Sequence, residues 1–126
     1  GDGFNSEEFI AQATPAAATN VYYVSGYSTS GDMTEKAKKF LDAYKAKYNE
    51  EPSMFSALAY DSVYMVAEAS KGAKTSVDIK DNLAKLKDFE GVTGSITMDK
   101  DHNPVKSALM LGLKDGKVAT VETVKP

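Results

Sequence analysis

The pattern of apolar and polar positions divides the chain into helices first and strands last. Glu7, Glu8, Phe9, Ile10 and Ala11 form a short helix capped by Asn5 or Ser6, with two acids at its positive end. Pro15 and the run Ala16-Ala17-Ala18-Thr19 read as a loop or a frayed end. Val21-Tyr22-Tyr23-Val24, bounded by Asn20 and Ser25-Gly26, is β-branched and aromatic. It predicts a strand buried on both faces. Ser28 to Asp32 is turn chemistry, and Asp32 with Glu35 makes a candidate capping box. The helix that follows runs to about Tyr48, with Ala37, Phe40, Leu41, Tyr44 and Tyr48 at helical spacing.

Asn49-Glu50-Glu51-Pro52 ends that helix, and Pro52 or Ser53 starts another. Residues 53–69 are apolar nearly all round, interrupted by Asp61 and Glu68, which predicts a core helix. Leu58, Val63 and Val66 are expected to be almost fully buried in it. Gly72 suits a left-handed cap at its end. Ser76 caps a third helix carrying Ile79, Leu83 and Leu86. Asp78 falls in its first turn and Lys85 and Lys87 in its last, as the helix dipole favours. After Phe89 the period changes to two. Val92, Gly94, Ile96 and Met98 alternate with Thr93, Ser95 and Thr97, a strand signature. Asp99 to Asn103 is a polar turn. Ala108 to Leu113 is an apolar strand, Lys114-Asp115-Gly116-Lys117 a hairpin turn, and Val118 to Val124 the returning strand. The pattern is α/β.

With 126 residues the chain holds one domain at most, and its 42% hydrophobic and 26% charged content is that of a globular protein. No apolar run approaches the ~18 residues of a membrane helix, and no signal segment is visible. The net charge is −3 and all 15 basic residues are lysine, which argues against nucleic-acid binding. The lysines at 36, 38, 39, 45 and 47 read as a solvated helix face balanced by Glu35 and Asp42, rather than as a patch for an anionic partner.

The absence of cysteine excludes disulfides, thiolate metal sites and cysteine nucleophiles. His102 is the single histidine, so a His-rich metal site is impossible, and a Ser-His-Asp triad would have to use it. Asp99-Lys100-Asp101-His102-Asn103 opens like a calcium loop, but Pro104 and Met110 stand where glycine and glutamate are needed. It reads as a reverse turn. There is no Walker loop, complete GxGxxG or GxSxG. Neither a cofactor nor a metal is expected.

Gly1-Asp2-Gly3 places an acid in backbone that can approach a ligand closely. Its carboxylate could accept from an ammonium group; a solvated terminal turn is the plainer reading. Tyr22, Tyr23, Tyr60 and Tyr64 are, on pattern alone, core residues whose hydroxyls reach the edge, with a binding cleft as the alternative.

Several phrases occur together and in order. They are Gly1-Asp2-Gly3-Phe4, the helix Lys38 to Tyr48 (KKFLDAYKAKY), Ala57 to Tyr64 (ALAYDSVY), and Phe89 to Asp99 (FEGVTGSITMD). Asn103 to Ala108 (NPVKSA) and Val121 to Val124 (VETV) complete the set. The set resembles the C-terminal part of a type I periplasmic binding protein of the branched-chain amino-acid (leucine/isoleucine/valine) ABC transporter family.

The resemblance implies a periplasmic-binding-protein-like fold with two three-layer α/β/α lobes, of which this chain would hold only the C-terminal portion. It implies that residues 1–27 belong to the second lobe, 28–106 to the first, and 107–126 to a strand pair returning to the second. Two crossovers would fall near Ser25–Thr29 and Lys106–Met110. Asp2 would hold the ligand ammonium, although many members have glutamate there. Phe55 would wall the side-chain pocket, and Phe4 adjoins the acid. The groups that hold the ligand carboxylate would lie in the missing N-terminal half.

The implied function is extracytoplasmic capture of a branched-chain or similar small amino acid, by a periplasmic or lipid-anchored cell-surface protein, for delivery to an ABC permease. It is not enzymatic. The alternatives are a sensory domain of the same fold and an enzyme pairing Asp2 with Glu7 or Glu8, for which no motif speaks. Residues 1–126 alone would leave sheet edges and the helix 53–69 exposed. The expected partner is therefore the missing half or a second copy in a dimer, with hinge segments exchanged as one option.

Overall fold

A computed structural model describes residues 7–126. In chain order the elements are α1 (Glu7–Gln12), β1 (Val21–Ser25), α2 (Glu35–Tyr48), α3 (Met54–Ala69) and α4 (Ser76–Ala84). They are followed by β2 (Phe89–Gly91), β3 (Gly94–Met98), β4 (Pro104–Val105), β5 (Ala108–Lys114) and β6 (Lys117–Val124). The caps proposed at Asn5 or Ser6 lie outside the described residues.

The strands form two three-stranded sheets, β1-β5-β6 and β2-β3-β4, and the pairs among the described residues are antiparallel. β1 takes the edge position beside β5, with Tyr23 opposite Leu111 and Ser25 opposite Leu109. Its side chains alternate. Tyr23 and Ser25 are buried, while Tyr22 is 63% exposed and Val24 also faces outward. The expectation of burial on both faces is thus corrected, because a short β-branched run carries no periodicity that separates one-sided from two-sided cover. Tyr22 lies across Gly112, its cross-strand partner; a Cβ on Gly112 would come within 2.8 Å of the Tyr22 ring. At the β5–β6 turn Asp115 and Gly116 both take positive φ, as a two-residue primed turn requires.

Helices α2, α3 and α4 begin on side-chain caps and end on backbone N–H groups. Thr34, not Asp32, caps α2; its side chain accepts from the Ala37 N–H, and Asp32 lies outside the turn. Asn49 ends α2 in the left-handed conformation, its N–H donating to Lys45 O. Ser53 caps α3 by accepting from Ser56 N–H. Thr75, not Ser76, caps α4 and forms a capping box with Asp78. α4 ends at Ala84, so Lys85 is its C-cap and Lys87 lies beyond it, not in its last turn. Gly72 takes the positive φ expected of it, two residues past the Ser70 cap of α3.

Two hydrophobic clusters share no residue. One gathers Tyr27, Ala37, Phe40, Met54, Ala57 and Val92, and packs α2 on α3 and on the β2–β3 turn. The other gathers Ala18, Tyr23, Leu111 and Leu113, with Phe9 and Ile10 of α1 laid against the β1-β5-β6 sheet. Chain passes from the second body to the first after β1, and returns between β4 and β5.

α3 departs most from expectation. Met54, Ala57, Asp61 and Ala69 are its buried residues, a stripe along one side. Val63 is 67% exposed, Val66 is exposed, and Leu58 is half-buried. The chain supplies cover for one face of a helix whose apolar residues run around most of it, so the expected burial of Leu58, Val63 and Val66 does not hold.

The alternating run at 92–98 is also not one strand. Val92 and Thr93 form a buried turn between β2 and β3, with Gly91 paired to Gly94.

Candidate functional site

The segment leaving β1 and the start of α3 frame a cleft lined by residues of both bodies. Ser25 Oγ donates to Tyr27 O at 2.6 Å and lies 3.3 Å from the Met54 Sδ; Gly26 N–H donates to the same sulfur at 3.2 Å. The exit of β1 is thereby tied to the first residue of α3. Pro52 and the Ser53 cap hold the loop from α2 alongside it.

The resulting cleft has a volume of about 540 Å³. Ile10, Tyr23 and Val118 line it from the sheet body, and Tyr27, Tyr44 and Met54 from the helical body. Phe55, in the first turn of α3, adds a 59% exposed ring to the wall. The hydroxyls of Ser28, Thr29 and Ser30 and the carboxylates of Glu50 and Glu51 are among the polar groups at its rim.

The charge at the rim is fixed. Thr29 Oγ1 donates to Glu51 Oε2 at 2.9 Å, and Lys45 Nζ stands 2.7 Å from Glu51 Oε1. The Lys45 hydrogen bond, reinforced by Thr29, holds the Glu51 carboxyl below its ordinary value. Burial, with the nearby Glu51 charge, pushes the Tyr27 phenol up to about 12, and burial raises Tyr23 as well. At neutral pH the cleft therefore presents protonated tyrosines and the Lys45-paired Glu51 carboxylate, with the acidic Glu50 beside it. A ligand with a large apolar part and few charges suits such walls.

A second polar cluster sits behind the first. Asp61 is 2% exposed and accepts from Val92 N–H at 2.7 Å, Thr93 N–H at 2.9 Å and Thr93 Oγ1 at 2.7 Å. It closes the β2–β3 turn from α3. The half-buried Lys106 donates from Nζ to Thr93 Oγ1 and, at 3.3 Å, to Gly26 O. Burial lowers the Lys106 pKa, and the Asp61 charge opposes that shift.

Of the residues singled out from sequence, Phe55 and Tyr23 line the cleft. Asp2 and Phe4 lie outside the described residues, so the enzyme alternative built on Asp2 falls there too. Tyr22 faces away on the outer sheet surface, and Tyr60 and Tyr64 stack at 4.7 Å beside the α2–α3 groove. At the turn after β3, Asp99 Oδ1 accepts from Asp101 N–H and Asn103 N–H, both at 2.8 Å, which makes it a self-bonded reverse turn. Sequence reasoning missed Tyr27, Glu51, Asp61 and Lys106. Only Asp61 left a signal, as a lone acid within an apolar helix stripe.

A family model described as periplasmic binding protein matches residues 3–117. The chain belongs to the periplasmic binding protein family. Its structure is similar to that of the branched-chain amino acid transporter substrate binding protein LivJ from Streptococcus pneumoniae str. Canada MDR_19A, solved in complex with isoleucine. The TM-score is 0.89 and the identity 63%, over 99% of this chain and 36% of that one. It is also similar to the leucine binding protein LivK from Thermotoga maritima MSB8, with a TM-score of 0.83 and 27% identity over 99% of this chain and 36% of that one. An ABC transporter substrate-binding protein from Desulfitobacterium hafniense, in complex with Leu, shares the fold at TM-score 0.74 and 21% identity, over 86% of this chain and 32% of that one. The chain spans about a third of the length of these periplasmic binding protein relatives. The α/β class and the family expected from the ordered phrases are those found.

Proposed function

We propose that this chain is part of an extracytoplasmic solute-binding protein that holds a branched-chain amino acid, or a similar small one, between two bodies for an ABC permease. The observation that carries this reading is the 63% identity, over nearly the whole chain, to a protein solved with isoleucine. The cleft supports it, because its walls come from both hydrophobic clusters and are aromatic and aliphatic.

In this reading residues 1–27 and 107–126 belong to one lobe and 28–106 to the other. Asp2 receives the ligand ammonium, Phe55 and Phe4 contribute to the apolar wall, and the ligand carboxylate is held by residues beyond this chain. The protein acts by binding and release, not by catalysis, in the periplasm or as a lipid-anchored protein at the cell surface. The exposed face of α3 is covered by the rest of the protein or by a second copy.

Calorimetric titration of the full-length protein with isoleucine, leucine and valine tests the reading. Saturable one-site binding of at least one of them is expected. No binding of any of the three would overturn it.

A further inference from the structure

Two stretches of chain join the sheet body to the helical body, and one ammonium group touches both. Lys106 stands in the returning stretch, between β4 and β5. Its Nζ donates to the carbonyl of Gly26, in the outgoing stretch, and to Thr93 Oγ1 in the β2–β3 turn. Thr93 Oγ1 in turn donates to Asp61 Oδ2, inside α3. The chain Gly26–Lys106–Thr93–Asp61 therefore anchors both connections to the rigid interior of the helical body. Leu58 of α3 also borders Gly26: a Cβ on Gly26 would make ordinary van der Waals contact, 3.6 Å from a Leu58 methyl and 3.7 Å from Lys106 Nζ.

Asp61 does not need Lys106 in order to be satisfied. Three donors from Val92 and Thr93 already reach its carboxylate. The Gly26 carbonyl, by contrast, receives Lys106 from the far side of the hinge, at a point where no secondary structure fixes the backbone. The lysine is placed to restrain the relative setting of two bodies rather than to hold either one together.

We propose that Lys106 is a positioning residue for closure of the cleft: by pinning both connecting stretches to α3 it narrows the range of lobe orientations in the ligand-free protein. The proposal rests on the reading of the cleft as a binding site between two lobes. Narrowing that range spares the ligand part of the ordering cost of closure, so removing the lysine weakens binding through the unliganded state.

The test is a pair of spin labels in the full-length protein, at Lys87→Cys in the helical body and Ala119→Cys in the sheet body. Both positions are exposed, and this chain has no cysteine of its own to compete. Distance distributions are recorded without ligand in the parent and in Lys106→Met, together with melting midpoints. The expected result is a broader distribution in Lys106→Met, with isoleucine affinity about five- to tenfold weaker. An unchanged width would overturn the proposal, and a lowered melting midpoint with unchanged width would make Lys106 structural only. Should Lys106→Met not fold, Thr93→Val cuts the same chain at its relay and is read by the same width. If isoleucine binds neither parent nor variant, the binding reading fails while the ligand-free widths still decide the role of Lys106.

Discussion

Gly91 approaches Asp61 so closely that a Cβ on Gly91 would lie 2.4 Å from the Asp61 Oδ2. The carboxylate of α3 occupies the space where a side chain on β2 would begin. Gly91→Ala is expected to lower stability by about 2–3 kcal/mol, at the upper end for an overpacked core site. Asp61→Ala relieves the crowding but strands two buried N–H groups, at about 1–3 kcal/mol each. Urea denaturation of both variants checks this. A loss under 0.5 kcal/mol for Gly91→Ala would mean that the two groups are not in contact.

Phe55 should matter to ligand and little to folding. Its ring is mostly exposed in the cleft wall. Phe55→Ala is expected to leave the urea midpoint nearly unchanged. If a bound ligand buries the ring, the variant loses about 1.5–3 kcal/mol of contact, or roughly ten- to hundredfold in affinity. Titration with isoleucine in the full-length protein measures it.

Asp2→Ala should cost more, because a ligand ammonium enclosed between lobes must be paired. Truncating one partner of a buried charge pair costs about 3–5 kcal/mol, or roughly a hundred- to several-thousand-fold in affinity. An affinity within threefold of the parent would place the ammonium elsewhere.

The outer face of α3 predicts self-association of the 126-residue chain. Val63 and Val66 are exposed along it. Replacing Val63 and Val66 together by lysine should shift sedimentation toward monomer at micromolar concentration without lowering the melting midpoint. A parent chain already monomeric under those conditions would count against the face being an association surface.

Glu51 provides a pH signature. Its pKa is held below 4.5, chiefly by Lys45. A carboxyl depressed in the folded state contributes stability above its unfolded pKa, and that contribution is lost as pH falls through the folded value. The pair is half exposed, so Glu51→Gln should cost no more than about 0.5 kcal/mol at pH 7. The difference between parent and variant should shrink below pH 4.5 and vanish once the folded-state group is protonated.

Local chemistry made much of the fold legible. Asp115-Gly116 marked its hairpin because both residues accept positive φ, and Ser53 marked the start of α3. What failed to show was what depends on distant partners. The run at Val92 looks like a strand until Asp61, thirty-one positions earlier, folds it into a turn. Val63 and Val66 are apolar, but apolarity does not say which neighbour covers a face. The capping error at Asp32 was a matter of two residues, with Thr34 an equally good cap. In the cleft, Phe55 and Tyr23 could be named from sequence. Tyr27 and Glu51 could not, since neither stands in a pattern that separates it from any loop residue.

The pairing of Tyr23 with Leu111 also sets an order of events in biosynthesis. β1 is made well before its partner strand β5, with α2, α3, α4 and the β2-β3-β4 sheet between them. The helices and the β2-β3-β4 sheet between them make mostly nearby contacts and can assemble while β1 waits unpaired. Closing so long a loop is entropically costly and slow. During that interval Val21-Tyr22-Tyr23-Val24 lacks its β5 partner and is an apolar segment open to a chaperone.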